Sequence, residues 1–291
     1  MSETGSTVPR RQVGRLMRQL REQAGISLMA AAEELEFSRA RMYRIENGEV
    51  PVRKHDVIAM CTVYNAPPRM TEVLIGLAQE SKSKGWWHAY GDVVPAWFEL
   101  YVGMEQAAGR LRSFAPTVIP GLLQTREYAE WVFREWIGAD EAAVDNAVAM
   151  RLERQSLLIR SRPLAPQLDV IIDEGVLRRA IPDAAGMRKQ LAHLINVHNR
   201  PNVRVQVIPF AAGPHTAASS GQFTLLEFPA VGTASPEPTT IYCESLTGAL
   251  YLDKLSEVET YDSIWSGLAG IALSQADSDD LIGAIIKESD G

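Results

Sequence analysis

Apolar positions in the first quarter of the chain recur at helical spacing, three and four residues apart, rather than in alternation. Leu16 and Leu20 mark one helix. Ala32 and Leu35, then Met42 and Ile45, mark two short helices headed by Ser27 and Ser38, N-cap residue types eleven positions apart. Small Ala32 suits a close crossing of the two. Further helices are predicted from Asp56 to Tyr64 and from Thr71 to Ser83, divided by the Ala66-Pro67-Pro68 break; the first completes the small domain and the second bridges outward.

Beyond Gly85 the pattern changes. Trp86, Trp87, Tyr90, Trp97, Phe98 and Tyr101 crowd into sixteen residues. Strands are predicted at Arg110 to Phe114, Leu168 to Ile172, Val203 to Ile208, Phe223 to Phe228 and Thr240 to Cys243, where β-branched and aromatic residues alternate or run together. Helical segments fall near Thr125 to Trp136, Glu141 to Arg160, Met187 to His198, Ser256 to Leu273 and Asp279 to Lys287. Strands and helices mixed without strict alternation predict a mainly helical chain overall, an N-terminal all-α helix-turn-helix domain followed by a larger α+β domain. The expected organisation is a disordered tail over 1–8, the helix-turn-helix domain over 9–70, a connecting helix over 71–84, the α+β domain over 85–276, and a closing helix and tail over 277–291.

The segment GISLMAAAEELEFSRARMYRIENG, Gly25 to Gly48, leaves Arg39, Ala40, Arg41, Tyr43 and Arg44 facing outward from its second helix. Guanidinium groups near the N-terminal end of such a helix suit the major groove of DNA, where an Arg fork matches the paired acceptors of guanine. Residues 11 to 70 resemble the phage repressor and Cro-like class of helix-turn-helix domains, also called the xenobiotic-response-element class. The resemblance implies an ion pair between Arg21 and Glu46, base reading by Arg39, Ala40 and Arg44, and phosphate contact by Ser27, Arg41, Arg53 and Lys54. Three positions depart from the pattern: Leu28 replaces a Gln, Ala31 a Leu, and Glu36 the Gly of the turn. A positive φ at Glu36 would carry about 1 kcal/mol of strain.

Charge is unevenly divided. Eleven Lys or Arg stand against ten Asp or Glu before residue 81, and eighteen against twenty-six after it, within a net charge of −7. A local basic footprint on an acidic body fits one nucleic-acid surface and argues against a second. Cys61 and Cys243 are too few and too far apart for a disulfide framework or a cysteine-rich zinc site. No apolar run reaches membrane length and no signal-peptide core is present, so a cytoplasmic location is expected.

Enzymatic signatures are sparse. There is no phosphate-binding Gly-rich loop ending in Lys-Ser or Lys-Thr, no dinucleotide fingerprint and no GxSxG elbow. His193 and His198, five apart, do not share a helix face. Asp277, Asp279 and Glu288 mimic part of a calcium loop, but Leu281 and Ile282 stand where an oxygen ligand and the turn glycine belong, and a helix N-terminus accounts for the cluster. Ser219, His215 and Glu244 could be drawn as a hydrolytic triad, yet nothing in the sequence orders them. No catalysis and no cofactor or metal are expected.

A second resemblance spans most of the chain. The strings GWW, WFELY, PGLLQT followed by EYA, VQVIPF, GQFTLLEF and SLTGALYL occur in the order found in a family of actinobacterial helix-turn-helix regulators described as antitoxin-like. It implies a large second domain without a settled biochemical activity and a small acidic partner protein encoded nearby. Two roles for that domain remain open: a sensor of a small-molecule effector, or a platform for the partner protein or a second subunit. The candidate residues are Trp86, Trp87, Trp97, Tyr101, Gln124, Arg151 and His215, and each aromatic among them is equally suited to packing a core. The expected protein is a homodimeric regulator acting on a double-stranded operator. The alternative is an antitoxin-like protein that sequesters its partner and binds DNA only for autoregulation.

Overall fold

Residues 7–80, 96–138, 140–179, 181–230, 237–245 and 248–289 are described by a computed structural model. They fall into two units: Met1–Ala89 with Phe98–Ala107 and Pro229–Glu237, and Tyr90–Trp97 with Ala108–Phe228 and Pro238–Gly291.

The first unit is helical. α1 (Thr7–Gln23) begins inside the tail expected over 1–8, and α2 (Leu28–Glu34), α3 (Arg39–Glu46), α4 (Lys54–Val63) and α5 (Pro68–Glu80) follow. Their apolar faces share one core: Val13 and Met17 from α1, Ala31 and Ala32 from α2, Met42 and Ile45 from α3, Val57 and Met60 from α4, Leu74 and Leu77 from α5. This corrects the connecting helix expected over 71–84. α5 starts at Pro68, packs on α1 and α4, and buries Leu74 completely. Without it the faces of α1 and α4 would meet water, so the helix completes this core instead of leading away from it. Its expected end at residue 84 lies outside the described residues. Most of α6 (Ala96–Ala107) also groups with this unit, with Val102 and Met104 fully buried.

The second unit is α+β, built on a six-stranded mixed sheet in the order β3-β2-β1-β4-β5-β6. β1 (Arg110–Ala115), β2 (Gln167–Asp173) and β3 (Val203–Ile208) run parallel, whereas β4 (Phe223–Glu227), β5 (Thr240–Ser245) and β6 (Gly248–Leu252) add antiparallel neighbours. Parallel strands need long crossovers. α7 (Arg126–Ile137) and α8 (Glu141–Arg154) connect β1 to β2; α9 (Glu174–Arg178) and α10 (Ala184–Val197) connect β2 to β3. α11 (Leu255–Ile271) lays Trp265 and Leu268 on a core that includes Phe114, Ile171, Phe223 and Ile241.

α12 (Gln275–Glu288) is part of this domain, not the appended closing helix expected from residue 277. It buries Ile282 and Ile285, and its first turns seal the outer edge of β3. Val207 donates its N–H to Ser278 Oγ at 3.0 Å and accepts from the Leu273 N–H at 2.9 Å. An edge strand so occupied offers no template for further pairing. The acidic cluster sits here as helix capping and side-chain contacts within the fold. Ser274 Oγ accepts from Asp277 N, Asp279 lies 2.7 Å from His198, and Glu288 lies 2.6 Å from Arg178.

The five strands expected from composition all form. β6 and α9 were not expected: Gly248, Ala249 and Leu250 have little strand preference, and α9 is too short to show a period. The helix expected to run to Arg160 ends at Arg154, where a 3-10 turn over Gln155–Leu158 buries the adjacent Leu157 and Leu158 together.

Candidate nucleic-acid interface

Two serines set the frame of α2 and α3. Ser27 Oγ accepts from the Ala30 N–H at 3.1 Å, and Ser38 Oγ from the Arg41 N–H at 3.2 Å, each serine holding the extended backbone of an N-cap. Between the helices the chain reverses at Glu36, whose φ of 55° lies in the left-handed region. That conformation strains a side-chain-bearing residue by about 1 kcal/mol, and it is held by Phe37 N–H donating to Ala32 O at 2.8 Å.

The string from Ile45 to Gly48 locks the end of α3 onto α1. Arg21 donates to both carboxylate oxygens of Glu46, Nε to Oε1 at 2.6 Å and Nη2 to Oε2 at 2.9 Å, and its Nη1 donates to Ile26 O at 2.8 Å. The pair is buried, and the Glu46 hydrogen bond raises the Arg21 pKa above its ordinary value. Gly48 adopts a φ of 69°, and a Cβ there would come within 2.7 Å of Arg11 Cα. Gly14 faces it from α1, where a Cβ would collide with the carbonyl oxygen of Ile45. Backbone therefore meets backbone at this crossing, which admits only glycine on each side.

On that frame Met42, Ile45 and Glu46 point inward, while Arg39, Ala40, Tyr43 and Arg44 are exposed. Ser27, Arg53 and Lys54 are exposed as well, Ser27 capping α2 and Arg53 preceding α4. Arg41 differs. Its Nη2 lies 2.7 Å from Asp56 Oδ2, and its guanidinium sits 3.9 Å from the centre of the Phe37 ring. One of its N–H donors and one face of its guanidinium are already engaged, the donor tying α3 to α4, so the phosphate role expected of it competes with an internal one. Asp56, fifteen residues away on another helix, carried no sequence signal for this pairing.

Residues 12–74 match the description "Helix-turn-helix domain", and residues 98–284, more than half of the chain, match "Domain of unknown function (DUF5753)". The chain belongs to the DUF5753 family. No curated protein and no solved structure matches it. The helix-turn-helix domain makes it a DNA-binding regulator.

Within the DUF5753 region, Gln124 and Arg151 come together as a structural cluster. Gln124 is buried; its Nε2 donates to Ile119 O and its Oε1 accepts from Arg151 Nη1, both at 2.6 Å. The Arg151 guanidinium lies 4.1 Å from the Phe133 ring centre and packs against the Gly121 backbone, where a Cβ would stand 3.3 Å from its Nε. Gln155 Nε2 donates to Gly121 O and Gln124 O, and Gln190 spans Thr125 N–H and Leu123 O. Three glutamine side chains thus satisfy backbone groups of and beside the turn spelled by PGLLQT, a loop with no ladder of its own, and Arg151 holds the first of them in place. His215 has other neighbours: its ring meets Phe114 edge-on at 5.7 Å, and its Nε2 lies 4.0 Å from Asp173 Oδ2.

The remaining candidates divide between the two units. Tyr101 belongs to the first, buried and stacked on Phe98 at 5.5 Å. Trp97 lies in α6. Trp86 and Trp87 lie outside the described residues. Among the described residues no group of three metal-ligating side chains occurs, and no helix is long and apolar enough to cross a membrane.

Proposed function

We propose that the protein is a sequence-specific, homodimeric transcriptional regulator of the xenobiotic-response-element class. Arg39, Ala40 and Arg44 read bases, and Ser27, Arg53 and Lys54 hold phosphates. The observation that carries this reading is α3 itself: a capped helix, locked to α1 by the Arg21–Glu46 pair, with Ala40 and Arg44 presented to solvent on the side away from Met42 and Ile45 and Arg39 exposed at the edge of that face. Rigid presentation is what base readout requires, because hydrogen bonds in the groove discriminate only when their donors are already in place. A single such domain covers one half-site, so two readers on one duplex, about 34 Å apart, supply the affinity. The DUF5753 domain modulates that binding without catalysis, by taking up a small-molecule effector or a small acidic partner protein, in the cytoplasm.

Selection of duplexes from a random library by the full-length protein tests the proposal. A two-fold symmetric enriched sequence, with half-sites one helical turn or a multiple apart, is the expected result. Failure to enrich any sequence would overturn it, and enrichment of a lone half-site would remove the dimer.

A further inference from the structure

Tyr43 is the residue on α3 that neither the fold nor the three base-reading positions account for. The helix buries Met42 at 0 % and Ile45 at 1 % exposure, yet leaves this aromatic side chain 57 % exposed. Neither a ring contact nor a side-chain hydrogen bond to another described residue holds it. At about 3.6 residues per turn, residues three and four apart adjoin on a helix surface. Tyr43 therefore neighbours Ala40 and Arg39 within the exposed face and lies nearer the middle of that face than Arg39, which flanks the buried side beside Met42 and Glu46. Ala40 offers only a methyl group and cannot obstruct an approaching base. The result is an apolar surface, one ring and one methyl, set between two guanidinium groups.

Among the features of the major-groove edge, the 5-methyl group of thymine is the one that projects a bulky apolar surface; the principal others are hydrogen-bond donors and acceptors. Arginines match guanine and leave that methyl unread. Tyrosine is a suitable reader of it, since it places a large rigid surface at the cost of ordering only two side-chain torsions. We infer that the Tyr43 ring, given room by Ala40, reads a thymine methyl group beside the guanines contacted by Arg39 and Arg44, and so sets specificity at a position those arginines do not reach. The inference rests on the DNA-binding reading of α3.

The test uses the full-length protein and the duplex it selects from a random library. Each thymine is replaced singly by deoxyuridine, which removes the methyl group and nothing else, and competition binding is measured for the native chain, Tyr43→Ala and Tyr43→Phe. Losing the burial of one methyl group should weaken native binding by about fourfold at one thymine in each half-site. Tyr43→Ala should bind the thymine and deoxyuridine duplexes alike, whereas Tyr43→Phe should keep the discrimination. Native binding indifferent to every replacement would overturn the inference, as would discrimination that survives in Tyr43→Ala. Discrimination lost in Tyr43→Phe would also overturn it, because the hydroxyl and not the ring would then be the reader. A library that yields no enriched duplex removes the DNA-binding reading and this inference with it; an enriched duplex blind to Tyr43 removes the inference alone.

Discussion

Arg21 and Glu46, twenty-five residues apart in sequence, meet through two N–H···O bonds of 2.6 and 2.9 Å inside the helix-turn-helix domain. Their side chains are 9 % and 4 % exposed, so neither charge can fall back on water. A buried pair of this kind contributes little against an apolar replacement of both partners, and much against removal of one. Glu46→Ala should destabilise the first unit by about 3 to 5 kcal/mol, read by chemical denaturation of the full chain, while Arg21→Met with Glu46→Leu should recover most of the loss. An unchanged transition in Glu46→Ala would show that the pair does not hold α3 to α1.

Arg44 and Lys54 are both exposed, and their expected roles separate by what each discriminates. Arg44→Ala should cost about 1 to 3 kcal/mol on the selected duplex and leave binding to random DNA nearly intact. Lys54→Ala should weaken both alike and flatten the dependence of log K on log salt by about one unit. Equal losses for Arg44→Ala on specific and random DNA would demote it to a phosphate contact.

Arg41 should behave as a structural residue. With its guanidinium between Asp56 and Phe37, Arg41→Ala takes the partner from a carboxylate whose side chain is only 7 % exposed, and should cost about 1 to 3 kcal/mol of stability. A salt slope changed as strongly as in Lys54→Ala would restore the phosphate role.

How much of this was legible follows the range of the interactions. Val203 to Ile208 announces a strand through its own β-branched residues, and Ser27 and Ser38 announce helix starts, because propensity and capping act within a few residues. The order of strands depends on pairs such as Phe114 with Phe223, which no local pattern encodes. The apolar face of α5 was equally visible, but Leu74 does not say which core it enters. In the site, Arg21 and Glu46 came through resemblance to a known domain class. Asp56 behind Arg41, and the backbone bonds that occupy Gln124, required the fold. The helical spacing turns Tyr43 outward, and only its exposure beside a tightly packed Met42 distinguishes it from an ordinary surface residue.

His193 provides a pH signature. Burial, followed by the nearby charge of Arg200, lowers its pKa below the ordinary 6.5. Above that value the imidazole is neutral in folded and unfolded chains alike, so it places no penalty on the fold. As pH falls below 6.5, the unfolded chain binds the proton first; stability is lost progressively until pH passes the folded pKa. Denaturation midpoints of the native chain should therefore drop between neutral and mildly acidic pH, and His193→Gln should reduce that drop. Carboxylates held low by partners, such as Glu127 beside Lys189, act only in more acidic solution and do not mask the effect. Parallel pH profiles for the two proteins would exclude His193 as the source.

Gln124 separates a structural from a ligand-binding account of the DUF5753 cluster. Both ends of its amide are engaged, Nε2 by Ile119 O and Oε1 by Arg151 Nη1, and the side chain is 2 % exposed. Gln124→Ala would leave a backbone carbonyl and a guanidinium nitrogen to find new partners in a buried setting, at about 1 to 3 kcal/mol for each group that fails. The expected result is a lowered unfolding transition of the second unit, with DNA affinity of the folded protein unchanged, since every partner of Gln124 lies within the turn and the helix that packs on it. Gln124→Glu sharpens the reading. A carboxylate keeps the acceptor for Arg151 but loses the donor to Ile119 O, so it should fall between the native chain and Gln124→Ala. If instead both variants melt like the native chain while the response of DNA binding to an effector or partner disappears, Gln124 is a contact for that molecule and the turn is held by Gln155 and Gln190 without it.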